Sequence, residues 1–210
     1  MTSDGVDRGI EVVVDTLLLI GSDHITDVRK YVRSKLRSYK PDFISLEHEI
    51  NLGLSGEVLP GPKNVKRKRF GRNMSLYLYG QELVWFEYEQ RAGMDYALDR
   101  KVPLYFIDRI QHLDRDAIFG LDGNDFVRLE VPCDEELPTY ITGRNIFVKN
   151  AYDILVPMYR PKTAAHICGT DHLDERKGIP LQKLIKARRY VVINAVTQEE
   201  KIILGTDLKQ

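Results

Sequence analysis

The chain has 210 residues with 31 basic and 31 acidic side chains and no formal net charge, so no global field draws it to nucleic acid or to an anionic membrane surface. That length suits one α/β domain burying roughly 70% of the surface its unfolded chain would expose, and is short for two. The opening Met1-Thr-Ser-Asp lacks the basic-then-apolar layout of a signal peptide, and no apolar run approaches the roughly 20 residues that span a bilayer; the expectation is a soluble, cytoplasmic protein without a membrane segment.

Residues 10 to 20 are aliphatic and β-branched and stop at Gly21, as a buried strand of a parallel sheet would. From Thr26 to Lys40, Val28, Val32 and Leu36 recur every four residues among Lys and Arg, which predicts a surface helix with one buried stripe that Pro41 stops. A second strand from Asp42 then completes a strand, crossover helix and parallel strand, and brings Glu47, His48 and Glu49 to its carboxyl end.

Residues 51 to 75 read as a flexible basic insert. Its run from Lys63 to Arg72 is either a solvated loop or a lid whose Lys66, Arg67, Lys68 and Arg69 meet an acidic ligand, and Phe70 alone gives no stacking platform for nucleic acid. Residues 76 to 101 predict two helical pieces hinged near Ala92-Gly93. A third strand from Val102 has Asp108 and Arg109 at its carboxyl end, and 110 to 139 reads as an irregular, variable excursion. Gly143-Arg144-Asn145 opens a helix ending before Pro157, Thr163 to Gly169 is a fourth strand, and Gly178 to Ala187 a further amphipathic helix. The chain closes with a hairpin turned at residues 198 to 200. The whole predicts a single α/β domain over 1–210, with a mixed, mostly parallel sheet flanked by helices. Cys133 and Cys168 are too few for a disulfide framework and are not spaced like a zinc knuckle; they read as reduced thiols, Cys168 within a strand.

One motif occurs twice. Gly21-Ser-Asp-His24 and Gly169-Thr-Asp-His172 each follow an apolar strand, and ligands of open α/β sheets bind where loops leave the carboxyl ends of strands. His24 and His172 therefore belong to one composite site, together with Glu47, Glu49, Asp108 and Arg109. Two imidazoles and a carboxylate suit a divalent metal such as zinc, manganese or cobalt, which would acidify a bound water for hydrolysis. Without metal, a His or Glu serves as general base and Arg109 or Arg144 stabilises an oxyanion. Either arginine could instead pair with Asp95 or Asp108 and hold elements together. Asp23 and Asp171 are ligands, orienters of the imidazoles or, as favoured here, loop caps. His48 is balanced between structure and site, whereas His112 and His166 read as structural. The first reading is a metal-dependent hydrolase of a peptide or small molecule; the others are a metal-independent esterase and a non-catalytic binding module contacting its ligand through the basic insert.

The Gly-Ser-Asp-His and Gly-Thr-Asp-His pair, Ser-Leu-Glu at 45–47, Ala-Gly-Met-Asp-Tyr-Ala-Leu at 92–98 leading to Leu-Tyr-Phe-Ile-Asp-Arg at 104–109, and Gly-Arg-Asn at 143–145 fall in the order seen in the TraB/PrgY/Tiki family. The chain resembles that family from about residue 16 to 195. The family includes pheromone-shutdown proteins and Tiki-type metalloproteases and is related to erythromycin-esterase-like proteins. The resemblance implies an α/β fold and a metal-dependent, peptidase-like site with His24, His172 and Glu47 at the metal, Glu47, Arg109 and Arg144 in catalysis, and Asp95 as a helix acid. The chain departs from the family where an arginine usually follows the strand-two glutamate and Glu49 and Ile50 stand instead.

Overall fold

The computed structural model describes residues 12–47, 66–70, 74–79, 82–84, 88–107, 117–122, 125–132 and 140–209. Strand β1 (Val14–Ser22) leads to helix α1 (Arg29–Tyr39) and strand β2 (Phe43–Leu46). After them come β3 (Lys66–Phe70), β4 (Met74–Tyr79), β5 (Glu82–Val84), α2 (Tyr88–Arg100), β6 (Leu104–Phe106), β7 (Ala117–Asp122) and β8 (Asp125–Glu130). The last part holds α3 (Tyr140–Tyr159), β9 (Thr163–Gly169), the one-turn helix α4 (Leu181–Leu184), β10 (Ala187–Asn194) and β11 (Glu199–Leu204). An eight-stranded sheet has the order β11-β10-β1-β9-β2-β6-β7-β8. Its five central strands, β10 to β6, are parallel, and antiparallel strands close both edges. The fold class is therefore the expected α/β one, including the closing β10–β11 hairpin.

Alternation along the central strands makes the two faces. In β1, Leu18 and Ile20 turn to the α1 and α2 side while Leu17 and Leu19 turn to the α3 side, all four with no exposure; fully burying such a side chain contributes about 1.5–3 kcal/mol. Val28, Val32 and Leu36 form the buried stripe expected of α1. Lys40, in the left-handed region at φ 51°, ends that helix by donating its N–H to Leu36, and Pro41 prevents continuation.

β1 and β2 are parallel, as the crossover reading requires, but β9 lies between them. This insertion brings the two Gly-x-x-His copies side by side, with Gly21 paired to Cys168 and Ser22 to Gly169. Cys168 is buried in its strand.

Several expectations are corrected. Residues 66–70, 74–79 and 82–84 form a three-stranded antiparallel sheet where a basic loop and a helical piece were expected. Helix α2 is one continuous element, and the small pair at its centre is a packing device rather than a hinge. A Cβ on Gly93 would stand 2.7 Å from Leu46 Cδ2 and 2.8 Å from Ile167 Cδ1, so a larger residue would have to push these side-chain ends aside for the helix to approach the sheet this closely. The region 110–139 contains the β7–β8 hairpin, in which Asp122 pairs with Asp125 across two residues. α3 runs past Pro157, which sits in the last turn where a missing N–H removes only one late hydrogen bond. The amphipathic helix expected at 178–187 is a single turn, because the backbone from Ala187 onward is committed to pairing with β1.

Candidate functional site

β1 delivers His24 through a tight local turn. Ser22 Oγ accepts the His24 N–H at 3.0 Å, and the Asp23 carboxylate accepts the N–H groups of Ile25 and Thr26 at 3.0 and 2.8 Å and the Thr26 hydroxyl at 2.7 Å. His24 itself has φ 62°, the left-handed region that costs a non-glycine residue energy and recurs at functional sites. This conformation turns the ring back over the sheet edge. Its Nδ1 stands 2.5 Å from Oε1 of Glu89, a fully buried carboxylate in the first turn of α2, and its Nε2 stands 3.8 Å from Oε2 of Glu47.

Glu47 is the hub. It follows β2 directly, and its main chain is fixed by its own N–H to Ile167 at 2.8 Å and by Gln90 Nε2 to its carbonyl at 2.5 Å. Oε1 accepts from the Arg144 guanidinium and lies 3.1 Å from His172 Nε2, off the line of a good hydrogen bond; Oε2 accepts the Gly169 N–H at 2.5 Å. Burial alone would raise the Glu47 pKa, but His172, Arg144 and the Gly169 N–H outweigh it and hold the carboxyl far below the usual range. A carboxylate so stabilised is a weak base, which leaves proton abstraction to an imidazole. Gly169 is needed here for space: a Cβ would lie 2.9 Å from His24 Nε2 and 3.5 Å from Glu47 Oε2.

His172 is held from the opposite side. Asn145 Nδ2 donates to the carbonyls of His172 and Ile179 at 3.1 and 2.8 Å, so Oδ1 is left to accept from His172 Nδ1–H, and the ring's Nε2 is turned toward Glu47. Arg144, one residue earlier in α3, also donates to the Tyr140 hydroxyl at 3.1 Å and lies over that ring at 5.0 Å. The site thus straddles the carboxyl edge of β1, β9 and β2, with Glu89 and Gln90 coming from α2 on one face and Arg144 and Asn145 from α3 on the other.

Among the residues singled out in the sequence, His24, Glu47, His172 and Arg144 are brought together. Asp95 is not: it is buried on α2 against Arg33 of α1. Asp23 is a loop cap, as favoured. Asp171 is exposed, makes no side-chain hydrogen bond among the described residues, and lines a groove of about 950 Å³ beyond the Thr170–Leu173 turn, so capping is corrected for it. His48, Glu49, Asp108, Arg109 and His112 lie outside the described residues. Glu89, Gln90 and Asn145 were missed; each enters from the first turns of a helix, where no spacing rule singles it out.

The described donors of the site are engaged with one another. Both Glu47 oxygens are already engaged, one by a guanidinium that a cation would have to displace, and among the described residues no three His, Cys, Asp or Glu side chains are disposed to hold a metal. No helix among the described residues is long and apolar enough to cross a membrane. No family model, curated protein or solved structure matches this chain.

Proposed function

We propose that the protein hydrolyses a carboxylic ester or amide, with His24 as general base and no resident metal. The observation carrying this reading is the Glu89–His24 pair: a buried carboxylate on Nδ1 fixes the tautomer and orientation of an imidazole that is itself about one-third exposed, so Nε2 is presented to a substrate. In the step proposed, Nε2 takes a proton from a water as the water oxygen bonds to the acyl carbon, and the carbonyl electron pair moves onto oxygen. The oxyanion so formed is stabilised by the Arg144 guanidinium, which Glu47 and the Tyr140 hydroxyl hold in place at the sheet edge. Collapse re-forms the carbonyl and expels the alcohol or amine, which receives the proton from His24. The order of the Gly-x-x-His, glutamate and arginine motifs supports kinship with the TraB/PrgY/Tiki family.

The test is hydrolysis of p-nitrophenyl acetate by wild type, His24→Ala and Glu89→Gln, each with EDTA and with added manganese, cobalt or zinc. His24→Ala should lose about 10²–10⁴-fold in kcat/KM and Glu89→Gln at least about tenfold, while wild type stays active in chelator. Activity that vanishes in EDTA and returns only with a metal would support the metal-dependent reaction instead. Undiminished activity in His24→Ala would sink the general-base assignment.

A further inference from the structure

We infer that the groove beside the Thr170–Leu173 turn is a second binding site, built for a small zwitterion with an apolar body, the class of the free aliphatic and aromatic amino acids. It stands independently of the hydrolase reading. The groove measures about 950 Å³, within the range of small-molecule sites, and lies over β10 and β11 on the α3 side of the sheet. Strands of a parallel sheet are ordinarily covered on both faces. Here β10 turns directly into β11, so the chain supplies no crossover helix after it. Val192 is consequently half-buried between the fully buried Val191 and Ile193, and it lines the groove together with Leu173, Ile203 and Leu208, which pack on the same core cluster.

Most charged side chains lining this floor are engaged within the protein. Arg176 pairs with Asp174 at 2.7 Å, Lys177 adds positive potential at that same carboxylate, Glu175 pairs with Lys183 at 3.1 Å, and Asp207 takes the Thr206 hydroxyl at 3.2 Å. Asp171 and Lys201 have no such partner among the described residues and do not pair with each other. Lys201 stands opposite Val192 across β10–β11 and so shares its face, whereas Asp171 comes from the turn after β9. Solvated surface charges mean little singly, but the third polar group is buried. Gln182, 7% exposed, lines the groove, donates Nε2–H to the Leu173 carbonyl at 3.3 Å and leaves Oε1 buried without a partner. Buried acceptors are ordinarily satisfied, and this one is left for a donor that the protein does not supply. Asp171 and Gln182, both beside Leu173, make the acceptor end of the groove, and Lys201 makes the donor end. An α-amino acid answers all three requirements: ammonium to Asp171 and Gln182, carboxylate to Lys201, side chain on the aliphatic floor. A simple amine or a simple carboxylic acid meets only two of them.

The experiment is isothermal titration calorimetry of wild type, Asp171→Asn and Lys201→Gln with L-phenylalanine, phenethylamine and 3-phenylpropanoate, which share one apolar body and differ in their charged ends. Wild type should bind phenylalanine about tenfold or more tightly than either analogue. Asp171→Asn should lose the preference over phenylpropanoate, and Lys201→Gln the preference over phenethylamine, because each variant no longer recognises the end it served. Amide NMR shifts on adding phenylalanine should gather at residues 170–177, 192 and 201. Both substituted side chains are exposed, and thermal melts check the fold; if one variant does not fold, the other, with the three ligands on wild type, still decides. Absence of saturable phenylalanine binding, equal affinity for the three ligands, a preference kept in the variants, or shifts confined to other residues would each overturn the site. None of these readouts depends on ester turnover, so the hydrolase reading stands or falls separately.

Discussion

Two buried histidines six residues apart, His166 and His172, show how position along one segment decides what an imidazole does. His166 lies inside β9 on the α3 side, with Nδ1 2.9 Å from Ser45 Oγ, which in turn meets the Tyr152 hydroxyl at 2.8 Å. No charged group hydrogen-bonds in this trio. Burial, with His172 nearby, pushes the His166 pKa down to about 3, so the ring stays neutral. His172 sits just past the strand's carboxyl end, beside Glu47 and across from Arg144. The residues are as deeply buried in both places, and the neighbours are what separates them: two hydroxyls beside His166, a carboxylate and an amide beside His172. Ser45 within β2 and Glu47 just past its end carry that difference.

Truncating those two residues should affect stability very differently. Glu47→Ala strands a buried imidazole and a mostly buried guanidinium without their carboxylate and should destabilise the fold by about 3–5 kcal/mol. Ser45→Ala leaves the Tyr152 hydroxyl and His166 Nδ1 without their shared partner and should cost about 1–3 kcal/mol. Urea unfolding at pH 7 measures both; equal losses would mean that the two clusters do not differ in kind. Acid titration separates them next. His166 has a folded-state pKa below its unfolded value of 6.5, so the unfolded chain gains a proton first and stability falls as pH drops from about 6.5 toward 3. Between pH 7 and 4.5 that amounts to about 2–3 kcal/mol, and His166→Gln should flatten this part of the curve. Glu47 is also depressed, so its contribution is fully present above its unfolded value of 4.5 and drains away only below it. A slope between pH 6.5 and 4.5 that persists in His166→Gln would remove the neutral-ring assignment.

The charged cluster was far more legible in the sequence than the neutral one. Repetition of Gly-x-x-His after two strands, with the rule that sheet ligands bind at carboxyl ends, was enough to gather His24, Glu47 and His172, and a helix start was enough for Arg144. Helix acids carried no such signal: Asp95 looked like a site residue and faces Arg33, whereas Glu89, six residues earlier, orients His24. Both lie on a helix buried almost all round, so amphipathic periodicity could not tell one face from another. In the fold, long aliphatic strands and the stripe of α1 were readable because one period dominated each. The small sheet was overlooked although Met74, Leu76 and Leu78 alternate with Ser75, Tyr77 and Tyr79, a two-residue period masked by the basic run before it. The β7–β8 pair was overlooked although Gly-Asn joins two apolar runs, a known hairpin signal lost among the acidic residues around it.

At Arg144 charge and geometry can be separated. Arg144→Lys keeps the positive charge beside Glu47 but cannot maintain both the carboxylate contact and the stacked hydrogen bond to Tyr140. Ester hydrolysis should fall by roughly tenfold, about 1.4 kcal/mol of transition-state stabilisation, with the melting temperature little changed. Activity lost only in proportion to folded protein would put the guanidinium in the scaffold.

The smallest effect concerns the aspartates that precede the two histidines. The copies of the motif share Asp23 and Asp171 in sequence, but their histidines are held by different means. His24 depends on its own turn, in which the Asp23 carboxylate gathers Ile25 N–H, Thr26 N–H and the Thr26 hydroxyl, and those bonds keep that carboxyl below its usual pKa. His172 depends on Asn145 from another element, and Asp171 makes no side-chain hydrogen bond among the described residues. Asp23→Ala should therefore loosen the left-handed backbone at His24, let Nδ1 drift from Glu89, and lower hydrolysis on the order of threefold to tenfold, because small displacements of a positioned base are costly to rate. Asp171→Ala should leave kcat/KM at the wild-type value. The same assay decides it: matched losses in the two variants would mean that the aspartates act on substrate through the shared motif, and the asymmetry between a locally held and a remotely held imidazole would fall.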